Sequence, residues 1–321
     1  MLAAYAARSA PDDPLSALEV GQVAEIDVPE GWVAVEVRAA SLNHHDVWSL
    51  KGVGLPPERL PMILGCDAAG VDPDGDEVIV HAVIGNPDWR GDESIDPSRT
   101  LLSEMHPGSL AERVAVPRHN LVPKPASLSF EEAACLPTAY LTAYRMLFTR
   151  GRLRPGETVL VQGAAGGVAS AAIALARAAG ARVWATSRDE RKRAYALELG
   201  AHEAFESGAR LPDRVDVVIE TVGEATWGHS LRAVQPGGRV VVAGATSGMN
   251  PPADLSRVYF KQIEVIGSTM GTRDELENLV RLMESTGLRP RIDRTISLAD
   301  AAEGFAAMIA GEVFGKIVIA P

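Results

Sequence analysis

The chain has 321 residues, of which 46% are hydrophobic and 23% are charged, and these values predict about two domains of a soluble globular protein. The formal net charge of −11 excludes the basic surface that nucleic acids and anionic membranes require, and no apolar run is long enough to span a bilayer. Two cysteines cannot form a disulfide framework or a four-thiolate zinc site, and the start of the chain is a poor secretory signal, so we expect a cytoplasmic protein.

The first part of the chain predicts strands joined by turns. Alternating Val side chains predict a strand over residues 32–38, and a second strand over 77–80 follows a Pro-Asp-Gly turn. Residues 85–109 are rich in Gly, Pro, Asp and Ser and predict a long surface loop. The Pro-containing segment 122–125 predicts a linker to a second domain.

After this linker the pattern changes to alternating helices and strands. Ser127 or Ser129 can cap a first helix, and strands then alternate with helices between residues 154 and 267. This alternation predicts a parallel sheet with helices on both faces. Its later strands are predicted at Val215–Glu220, Arg239–Ala243 and Glu264–Ile266. Helices over 273–286 and 298–310 and a strand over 316–320 follow, and we expect this tail to return to the first domain.

The most informative segment of the chain is a glycine-rich turn. An apolar strand runs into the turn, a helix of small residues over 170–179 follows, and a second strand occupies 181–186. In this strand–turn–helix context, backbone N–H groups and the helix N-terminus favour a pyrophosphate. The residues predicted to contact a dinucleotide there are Gly163, Ala164, Ala165, Gly166, Gly167 and Val168.

The end of the second strand indicates which dinucleotide binds. Ser187 stands about where NAD-binding proteins carry an acid for the ribose hydroxyls. A carboxylate would repel a 2′-phosphate, whereas the Ser187 hydroxyl, Arg188 and Lys192 can hold one, so we predict NADP(H). The alternative is that this basic run is only the solvated start of a charged helix.

Five motifs are spread over nearly the whole chain. They are SLNHHD at 41–46, LGCDAAG at 64–70, GDEV at 75–78, LPTAYLTAY at 136–144 and GAAGGVA at 163–169. Together they resemble the medium-chain dehydrogenase/reductase superfamily, and more narrowly its zinc-free quinone oxidoreductase branch. The resemblance implies a GroES-like β-rich catalytic domain of residues 1–124 and 268–321, and a Rossmann doubly wound parallel-sheet domain of residues 125–267. It also implies an active site in the cleft between the domains and a homodimer.

The resemblance bears directly on zinc. Zinc-dependent members hold the catalytic ion with Cys, His and Cys, at positions that correspond here to Asn43, Cys66 and Thr138. An amide, one thiol and a hydroxyl make a poor zinc site, so we predict no metal. A rearranged cluster of other side chains is the alternative, and it is disfavoured because adjacent histidines on an extended segment point to opposite faces. Its members would be His44, His45, Asp46, Cys66 and Asp67.

Asn43 and His45 are the candidate catalytic residues that the resemblance implies. Asn43 can hydrogen-bond the substrate oxygen or the nicotinamide ribose, and His45 can donate a proton to a developing enolate or quinol oxygen. Each has a structural alternative: Asn43 can stabilise a turn, and His45 can be a histidine satisfied within the fold. Trp48, Cys66 and Tyr140 are the candidate substrate-lining residues, with core packing as their alternative.

The resemblance places further residues beside the cofactor. Thr142 matches a position that contacts the nicotinamide ring, and Lys316 matches one that reaches the cofactor phosphates, with an exposed strand lysine as its alternative. Open α/β sheets bind ligands where their strands end, and this rule adds residues after the later strands. These are Val222, Gly244, Ala245 and Thr246.

The expected chemistry follows from the lost zinc ligands. Without a Lewis acid to polarise a carbonyl, the acceptor must already be electron-poor. We therefore predict a zinc-independent, NADPH-dependent oxidoreductase that transfers hydride to a small electrophilic substrate, a quinone or an α,β-unsaturated carbonyl compound. Two alternatives stay open: a non-catalytic NADPH-binding sensor or structural relative, and an alcohol dehydrogenase of the zinc-type family with substituted ligands.

Overall fold

The computed structural model describes residues 1–321 and divides into two compact units. Unit 1 comprises Met1–Ala139 and Gly271–Pro321, and unit 2 comprises Tyr140–Met270. The first boundary thus falls after Ala139 rather than after residue 124. The helix Phe130–Ala134 belongs to unit 1, where the carbonyl of its last residue accepts a hydrogen bond from Oγ of Ser41.

Strands and short or medium helices alternate along the whole chain. The strands are β1 (Leu2–Ala6), β2 (Leu18–Gln22), β3 (Trp32–Ser41), β4 (Met62–Ile63), β5 (Asp67–Val71), β6 (Glu77–Val80), β7 (Val83–Ile84), β8 (Thr100–Leu101), β9 (Arg113–Pro117), β10 (Leu121–Pro123), β11 (Thr158–Gln162), β12 (Arg182–Thr186), β13 (Glu203–Phe205), β14 (Val215–Glu220), β15 (Val234–Val242), β16 (Glu264–Gly267), β17 (Ile292–Ser297) and β18 (Lys316–Ala320). The α-helices are α1 (His44–Leu50), α2 (Phe130–Ala134), α3 (Leu141–Tyr144), α4 (Gly167–Ala178), α5 (Glu190–Glu198), α6 (Glu224–Ala233), α7 (Leu255–Lys261), α8 (Arg273–Thr286) and α9 (Ala301–Ile309).

Unit 1 is built on a seven-stranded sheet in the order β10-β6-β5-β3-β18-β17, with β9 also paired to β3. Strand β18 pairs antiparallel with β3, with Val318 opposite Ser41, so the C-terminal tail completes the sheet formed by the first part of the chain. A smaller sheet, β2-β1-β4, contains the alanine-rich start of the chain. The sequence did not predict β1, because Ala has a low strand propensity and only its burial in this sheet favours the extended form.

Unit 2 contains a six-stranded sheet in the order β13-β12-β11-β14-β15-β16, and every pairing in it is parallel. Taking β11 as the first strand, this order is 3-2-1-4-5-6, which is the doubly wound arrangement of dinucleotide-binding domains. The predicted Rossmann sheet is confirmed. The strand order reverses between β11 and β14, whose carboxyl ends lie side by side. Sheets of this kind bind their ligands at this switch point.

Several predicted elements have the bounds that the structure shows, among them β6, β14, α8 and β18. Ser129 caps α2: its side chain accepts from the Glu132 N–H, and the Glu132 carboxylate accepts from the Ser129 N–H. The segment after Asn43, which we expected to be extended, is instead helix α1. Asp46 stabilises its first turn by accepting the Asn43 N–H at 2.8 Å. No helix in the structure has the length and apolarity needed to cross a membrane.

Candidate functional site

In unit 2, the turn after β11 leaves its backbone uncovered by side chains. Gly163 has a φ of +85°, in the left-handed region that favours glycine, and an added Cβ would lie 3.6 Å from Cγ2 of Val222. Gly166 is the N-cap of α4, and an added Cβ there would meet nothing within 4 Å. The turn therefore leaves the first N–H groups of α4 open to an approaching anion, and the predicted pyrophosphate contact stays a prediction.

The next two strands end at the same edge of the sheet, because all strands are parallel. Gly223 follows β14 with a φ of +90°, and an added Cβ would come within 2.5 Å of the Gly248 carbonyl oxygen. The loop after β15 is held to the loop after β14 by the Thr246 N–H, which donates to the Thr221 carbonyl at 3.4 Å. The structure thus brings Val222 and the 244–246 segment to the edge that carries Gly163.

A buried glutamate fixes the backbone at this edge, and the sequence reasoning missed it. Oε1 of Glu220 accepts the N–H groups of Val222 at 2.8 Å and Gly223 at 3.0 Å. Its other oxygen accepts from Oγ of Ser230 at 2.6 Å, and the residue is 0% exposed. A charged residue at the end of an otherwise apolar strand was the available signal, since a buried carboxylate must find several donors.

Polar side chains join the ends of β11 and β12 to this glutamate. Oγ1 of Thr186 donates to Oε1 of Gln162 at 2.6 Å, and Nε2 of Gln162 donates to Ser230 at 3.0 Å and to Nδ1 of His229 at 2.9 Å. The N–H at Nε2 of His229 donates to the Ala209 carbonyl at 2.9 Å. Burial lowers the pKa of His229, because the charged form would lose its hydration.

Ser187 lies at the end of β12, as the sequence predicted, and is 8% exposed. Its hydroxyl accepts the Asp189 N–H at 3.2 Å, and the Asp189 carboxylate pairs with Arg191 at 3.2 Å. Hydrogen bonds from Arg191 hold the pKa of Asp189 below its ordinary value. Arg193 donates to the Ser187 carbonyl at 2.8 Å. Arg191 and Arg193 therefore stabilise the start of α5. Ser187, Arg188 and Lys192 are left as the predicted contacts of the 2′-phosphate.

Two predicted residues of unit 2 are buried in the folded chain. Tyr140 is 1% exposed and is among the largest fully buried side chains of the chain, so it is a core residue rather than the substrate-lining residue that we expected. Thr142 is 7% exposed on α3. Its contact with a nicotinamide ring stays a prediction.

In unit 1, Lys316 forms the centre of a buried polar cluster that we call the lysine cluster, with Asn43, Asp67 and Ser41. Nζ of Lys316 donates to the Leu42 carbonyl at 2.7 Å, to Oδ1 of Asn43 at 2.6 Å and to Oδ2 of Asp67 at 3.2 Å. The Lys316 and Asp67 side chains are 2% and 0% exposed. All three ammonium donors are used, so the expected contact between Lys316 and cofactor phosphates is wrong.

The same cluster corrects the expectation for Asn43. Its Oδ1 accepts from Lys316, its Nδ2 donates to Oδ2 of Asp67 at 2.8 Å, and the residue is 6% exposed. Both ends of the amide are therefore engaged within unit 1. Asn43 orders this cluster and the start of α1, which is the structural alternative, and we no longer count it as a catalytic residue.

The positions of the family's catalytic zinc ligands do not fit a zinc ion here. The Asn43 amide is committed to Lys316 and Asp67, and a buried ammonium already supplies positive charge to the Asp67 carboxylate. Thr138 has a buried hydroxyl without a hydrogen-bond partner, but a neutral hydroxyl is a weak zinc ligand. Only the Cys66 thiol remains, whereas a catalytic zinc needs three protein ligands.

His45 lies in a second group of side chains, which we call the histidine cluster, with Cys66, Ser103 and Glu104. Nε2 of His45 is 2.8 Å from Oε1 of Glu104, and Nδ1 is 3.4 Å from Sγ of Cys66 and 3.5 Å from Oγ of Ser103. The His45 side chain is 22% exposed. Because both ring nitrogens have partners, the orientation of the ring is fixed although the side chain is not fully buried.

The histidine cluster changes the proton affinity of its members. Burial by itself lowers the pKa of His45, but the adjacent Cys66 sulfur and Glu104 carboxylate outweigh it, and the pKa is raised well above its ordinary value. Burial raises the pKa of the Cys66 thiol, and the adjacent His45 imidazole opposes this shift. Cys66 and Glu104 together therefore favour the charged form of the imidazole.

The two remaining candidates of unit 1 differ in accessibility. Cys66 is 1% exposed and is enclosed by His45, Ser103 and the Leu102 carbonyl, so it does not line an open surface as we expected. Trp48 is half-buried on α1, with its ring centroid 5.5 Å from that of His44 in a T-shaped arrangement and 5.2 Å from Nζ of Lys51. Its substrate-lining role stays a prediction.

The sequence reasoning missed three residues of unit 1 that the fold brings to these clusters. Ser103 and Glu104 lie in the long loop predicted over 85–109, and each is more than 50 positions from His45. Asp67 appeared only as a member of a hypothetical metal cluster. No local pattern marks such residues, because the pairing depends on where the loop packs.

Comparisons with known proteins agree with this architecture. Residues 29–126 match the model of the alcohol dehydrogenase GroES-like domain, and residues 167–285 match the model of the zinc-binding dehydrogenase family. The acryloyl-coenzyme A reductase of Metallosphaera sedula is 32% identical over 94% of this chain and 96% of its own length.

Solved structures give the same result. The crystal structure of an NAD-dependent alcohol dehydrogenase is 34% identical, has a TM-score of 0.91 and matches all of both chains. The structure of the 2-octenoyl-CoA carboxylase reductase CinF, in complex with NADP and 2-octenoyl-CoA, is 27% identical with a TM-score of 0.91, over 99% of this chain and 87% of that one.

Proposed function

This chain belongs to the medium-chain dehydrogenase/reductase superfamily and is an NADP(H)-dependent oxidoreductase, and from this premise we propose that it reduces α,β-unsaturated carbonyl compounds or quinones without a catalytic metal. NADPH supplies the hydride when it is bound. The chain's own residues bind the dinucleotide at the carboxyl edge of the unit 2 sheet and supply a proton to the reduced substrate.

The observation that carries the metal-free proposal is the lysine cluster. At the place where relatives of the zinc type hold an ion, this chain has an amide whose two ends are bonded to Lys316 and Asp67. A substrate that needs no Lewis acid fits such a site, because an enone or a quinone delocalises the incoming electrons onto oxygen. The similarity to an acryloyl-coenzyme A reductase and to a 2-octenoyl-CoA carboxylase reductase supports the unsaturated carbonyl class.

His45 is the proposed proton donor. Its ring is oriented from one side by Glu104 and from the other by Cys66, and its side chain is 22% exposed. When hydride adds to the β-carbon, the electron pair of the double bond moves to the carbonyl oxygen, and an imidazolium can protonate the resulting enolate. Glu104 acts as a positioning residue for this step.

The proposed cofactor preference rests on the end of β12. Ser187 offers a hydroxyl where an acid would hydrogen-bond the ribose of NAD, and Arg188 is exposed beside it. The Asp189 carboxylate two residues later is occupied by Arg191, so it does not oppose a 2′-phosphate at full strength. These residues are proposed to hold the 2′-phosphate of NADPH.

The direct test is NADPH oxidation by the purified, chelator-treated protein, measured across a panel of enoyl thioesters, enones, quinones and simple ketones. We expect turnover with at least one electron-poor acceptor, none with a simple ketone, and the same rate before and after chelation. Activity that disappears on chelation and returns with Zn²⁺ would identify a zinc-type alcohol dehydrogenase. Tight NADPH binding without any acceptor would identify a sensor.

The proton donor has its own test. In His45→Gln we expect kcat to fall by about 100-fold while KM for NADPH stays unchanged, because general acid catalysis contributes about 10²–10⁴-fold and the residue lies outside the dinucleotide unit. Glu104→Gln should give a smaller fall. Equal kcat in wild type and His45→Gln would remove His45 from the mechanism.

We also propose a homodimer formed through unit 2. Strand β16 is the edge strand of its sheet, and Val265 on it is 47% exposed. On the neighbouring helix α7, Leu255, Tyr259 and Phe260 are 69%, 62% and 78% exposed, which is unusual for large apolar side chains. We expect light scattering to show a dimer for wild type and a monomer for Phe260→Glu. A monomeric wild type would exclude this assembly.

A further inference from the structure

Unit 2 has a cavity of about 390 Å³, which we call the arginine cavity, between α6 and the loop that joins β13 to β14. Three exposed arginines line it: Arg210 and Arg214 from the loop, and Arg232 from the last turn of α6. Nη1 of Arg214 donates to the Arg232 carbonyl at 2.7 Å, which joins the loop to the helix. Asp213 is the only carboxylate in the lining, and one of its oxygens accepts the Arg214 N–H at 2.7 Å. The lining thus carries three positive charges and one negative charge.

The three guanidinium groups of the cavity have no carboxylate partner, although the chain has 42 acidic residues and only 31 lysines and arginines. Five other arginines of unit 2 each pair with a carboxylate, at N–O distances of 2.6 to 3.2 Å: Arg152, Arg182, Arg191, Arg239 and Arg257. Unpaired guanidinium groups that share one cavity of an acidic protein attract an anion from solution as their counter-charge.

The end of helix α6 would by itself disfavour an anion, because the last carbonyl groups of a helix carry partial negative charge. Here these groups are occupied, since Nζ of Lys261 donates to three carbonyls at this end. They belong to Leu231, Arg232 and Val234, at 3.2, 3.3 and 3.0 Å. Burial first, and then the charge of Arg214, lowers the pKa of Lys261. Positive charge is therefore concentrated at this end of the helix.

The arginine cavity lies behind the predicted cofactor edge of the sheet. Arg214 immediately precedes β14, whereas Gly223 follows the carboxyl end of that strand. Helix α6 runs from Gly223 to the cavity, and its 10 residues span about 15 Å. His229 also lines the cavity, but both of its ring nitrogens are bonded within the chain, to Gln162 and to the Ala209 carbonyl. A ligand in the cavity and a dinucleotide at the edge can therefore be bound together.

We propose that the arginine cavity binds the pyrophosphate group of a small phosphorylated compound. Planar guanidinium groups form two parallel hydrogen bonds with phosphate oxygens, and three of them match the roughly three negative charges of a pyrophosphate at neutral pH. The volume lies within the usual range of small-molecule sites, about 300–1,000 Å³. Leu211, Pro212 and Ala233 give the lining an apolar part, so free pyrophosphate and a nucleoside diphosphate are the two sources of the group.

Isothermal titration calorimetry of the full-length protein, with and without saturating NADPH, tests the cavity. We expect inorganic pyrophosphate to bind at one ion per chain when NADPH occupies its own site, and to bind at least about 10-fold more tightly than inorganic phosphate. Titration with ADP distinguishes the two sources of the group. Tighter binding of ADP than of pyrophosphate identifies a nucleotide, weaker binding identifies the free anion, and either result supports the cavity.

Single substitutions locate the binding groups. Arg214→Gln and Arg232→Gln should each weaken pyrophosphate binding by about 10- to 100-fold, because each removes a hydrogen bond between charged groups. Asp213→Asn should strengthen binding by about 2- to 5-fold, since the opposing charge is removed while the amide oxygen can still accept the Arg214 N–H. Arg182→Gln is the matched control: it changes the net charge by the same amount, but Arg182 lies outside the cavity and pairs with Glu203.

Three results would each overturn the proposal. The first is the absence of saturable heat with pyrophosphate up to about 5 mM. The second is an equal loss of affinity in Arg182→Gln and the two cavity variants, which would identify an adventitious ion only. The third is pyrophosphate binding that disappears when NADPH is bound, which would place the anion at the cofactor edge. Thermal unfolding shows whether each variant is folded. The titrations use no hydride acceptor, so failure of the proposed reductase activity would leave them unaffected.

Discussion

The two units of this protein build their polar sites in opposite ways. In unit 2, the candidate site consists of main-chain N–H groups at the carboxyl edge of the sheet. Glycines and alanines after β11, β14 and β15 leave these groups uncovered, and the charged Glu220 is buried behind them. In unit 1, the sites are made of side chains that fill the space, with Lys316, Asp67 and Asn43 in one cluster and His45, Cys66 and Glu104 in the other. A backbone site needs small residues in one short segment, whereas a side-chain site needs residues from several distant segments.

The largest expected effect tests whether the lysine cluster is structural. Lys316→Met leaves the Asp67 carboxylate buried without its cation, and breaking a buried ion pair costs about 3–5 kcal/mol of unfolding free energy. Urea unfolding of the variant measures this loss. Arg152→Met, which removes an exposed pair with Glu264 in unit 2, should cost less than about 1 kcal/mol.

The double variant Lys316→Met/Asp67→Asn sharpens the same test. Neutralising the carboxylate should restore part of the lost stability, because the uncompensated charge is gone while Asn can still accept from Ser41. If Lys316→Met kept its full stability and instead lost NADPH affinity, the lysine would serve the cofactor phosphates after all.

The backbone site is tested by adding one methyl group. Gly163→Ala places a Cβ at the turn that is proposed to receive the pyrophosphate, and we expect NADPH affinity to fall by about 100-fold, or roughly 3 kcal/mol. Fluorescence titration of NADPH measures the change. Gly208→Ala is the matched control, since Gly208 has a similar φ of +82° and no atoms near its added Cβ. Both variants carry the same backbone strain, and equal NADPH affinity in the two would refute the assignment of the turn.

The cofactor preference is tested at the end of β12. In Ser187→Asp we expect the ratio of NADPH to NADH affinity to drop by about 10- to 100-fold, because a carboxylate repels the 2′-phosphate while still accepting the Asp189 N–H. Arg191→Gln, in the same basic run but bonded to Asp189, should leave that ratio nearly unchanged. A ratio that responds to Arg191 and not to Ser187 would place the phosphate elsewhere.

The smallest expected effect concerns pH and the network behind the unit 2 edge. Burial lowers the pKa of His229 from its ordinary 6.5, so the unfolded chain binds a proton more readily than the folded one. The stability that His229 contributes is therefore complete above pH 6.5 and is lost as the pH falls through its lowered folded value. Protonation would also place a donor at Nδ1, opposite the Gln162 amide.

Unfolding free energies measured in steps from pH 7.5 down to about 5 test this dependence. His229→Gln can keep both hydrogen bonds without titrating, so its stability should decline less than that of wild type over this range. Parallel curves for the two proteins would show that other groups control the acid sensitivity of unit 2.

The elements of unit 2 were largely predictable from sequence, because each is specified locally. Alternation of apolar strands with helices predicts the parallel sheet, and the turn glycines predict which edge of it binds the cofactor. Unit 1 was harder. The HHD segment was expected to be extended and is the start of α1, since Asp46 accepts the Asn43 N–H and stabilises a helical turn.

The sequence by itself determined the superfamily and the doubly wound sheet, and it predicted the dinucleotide edge and a site without zinc, because these depend on periodicity and on residues close together in the chain. Only the tertiary structure decided that Lys316 closes on Asn43 and Asp67, more than 240 positions away, and that Glu104 reaches His45. Leaving a buried polar group without a hydrogen bond costs several kcal/mol, and roughly 90% of such groups are therefore paired. The partner is whichever polar group the packing of distant segments brings within reach. No local pattern in the chain encodes that choice.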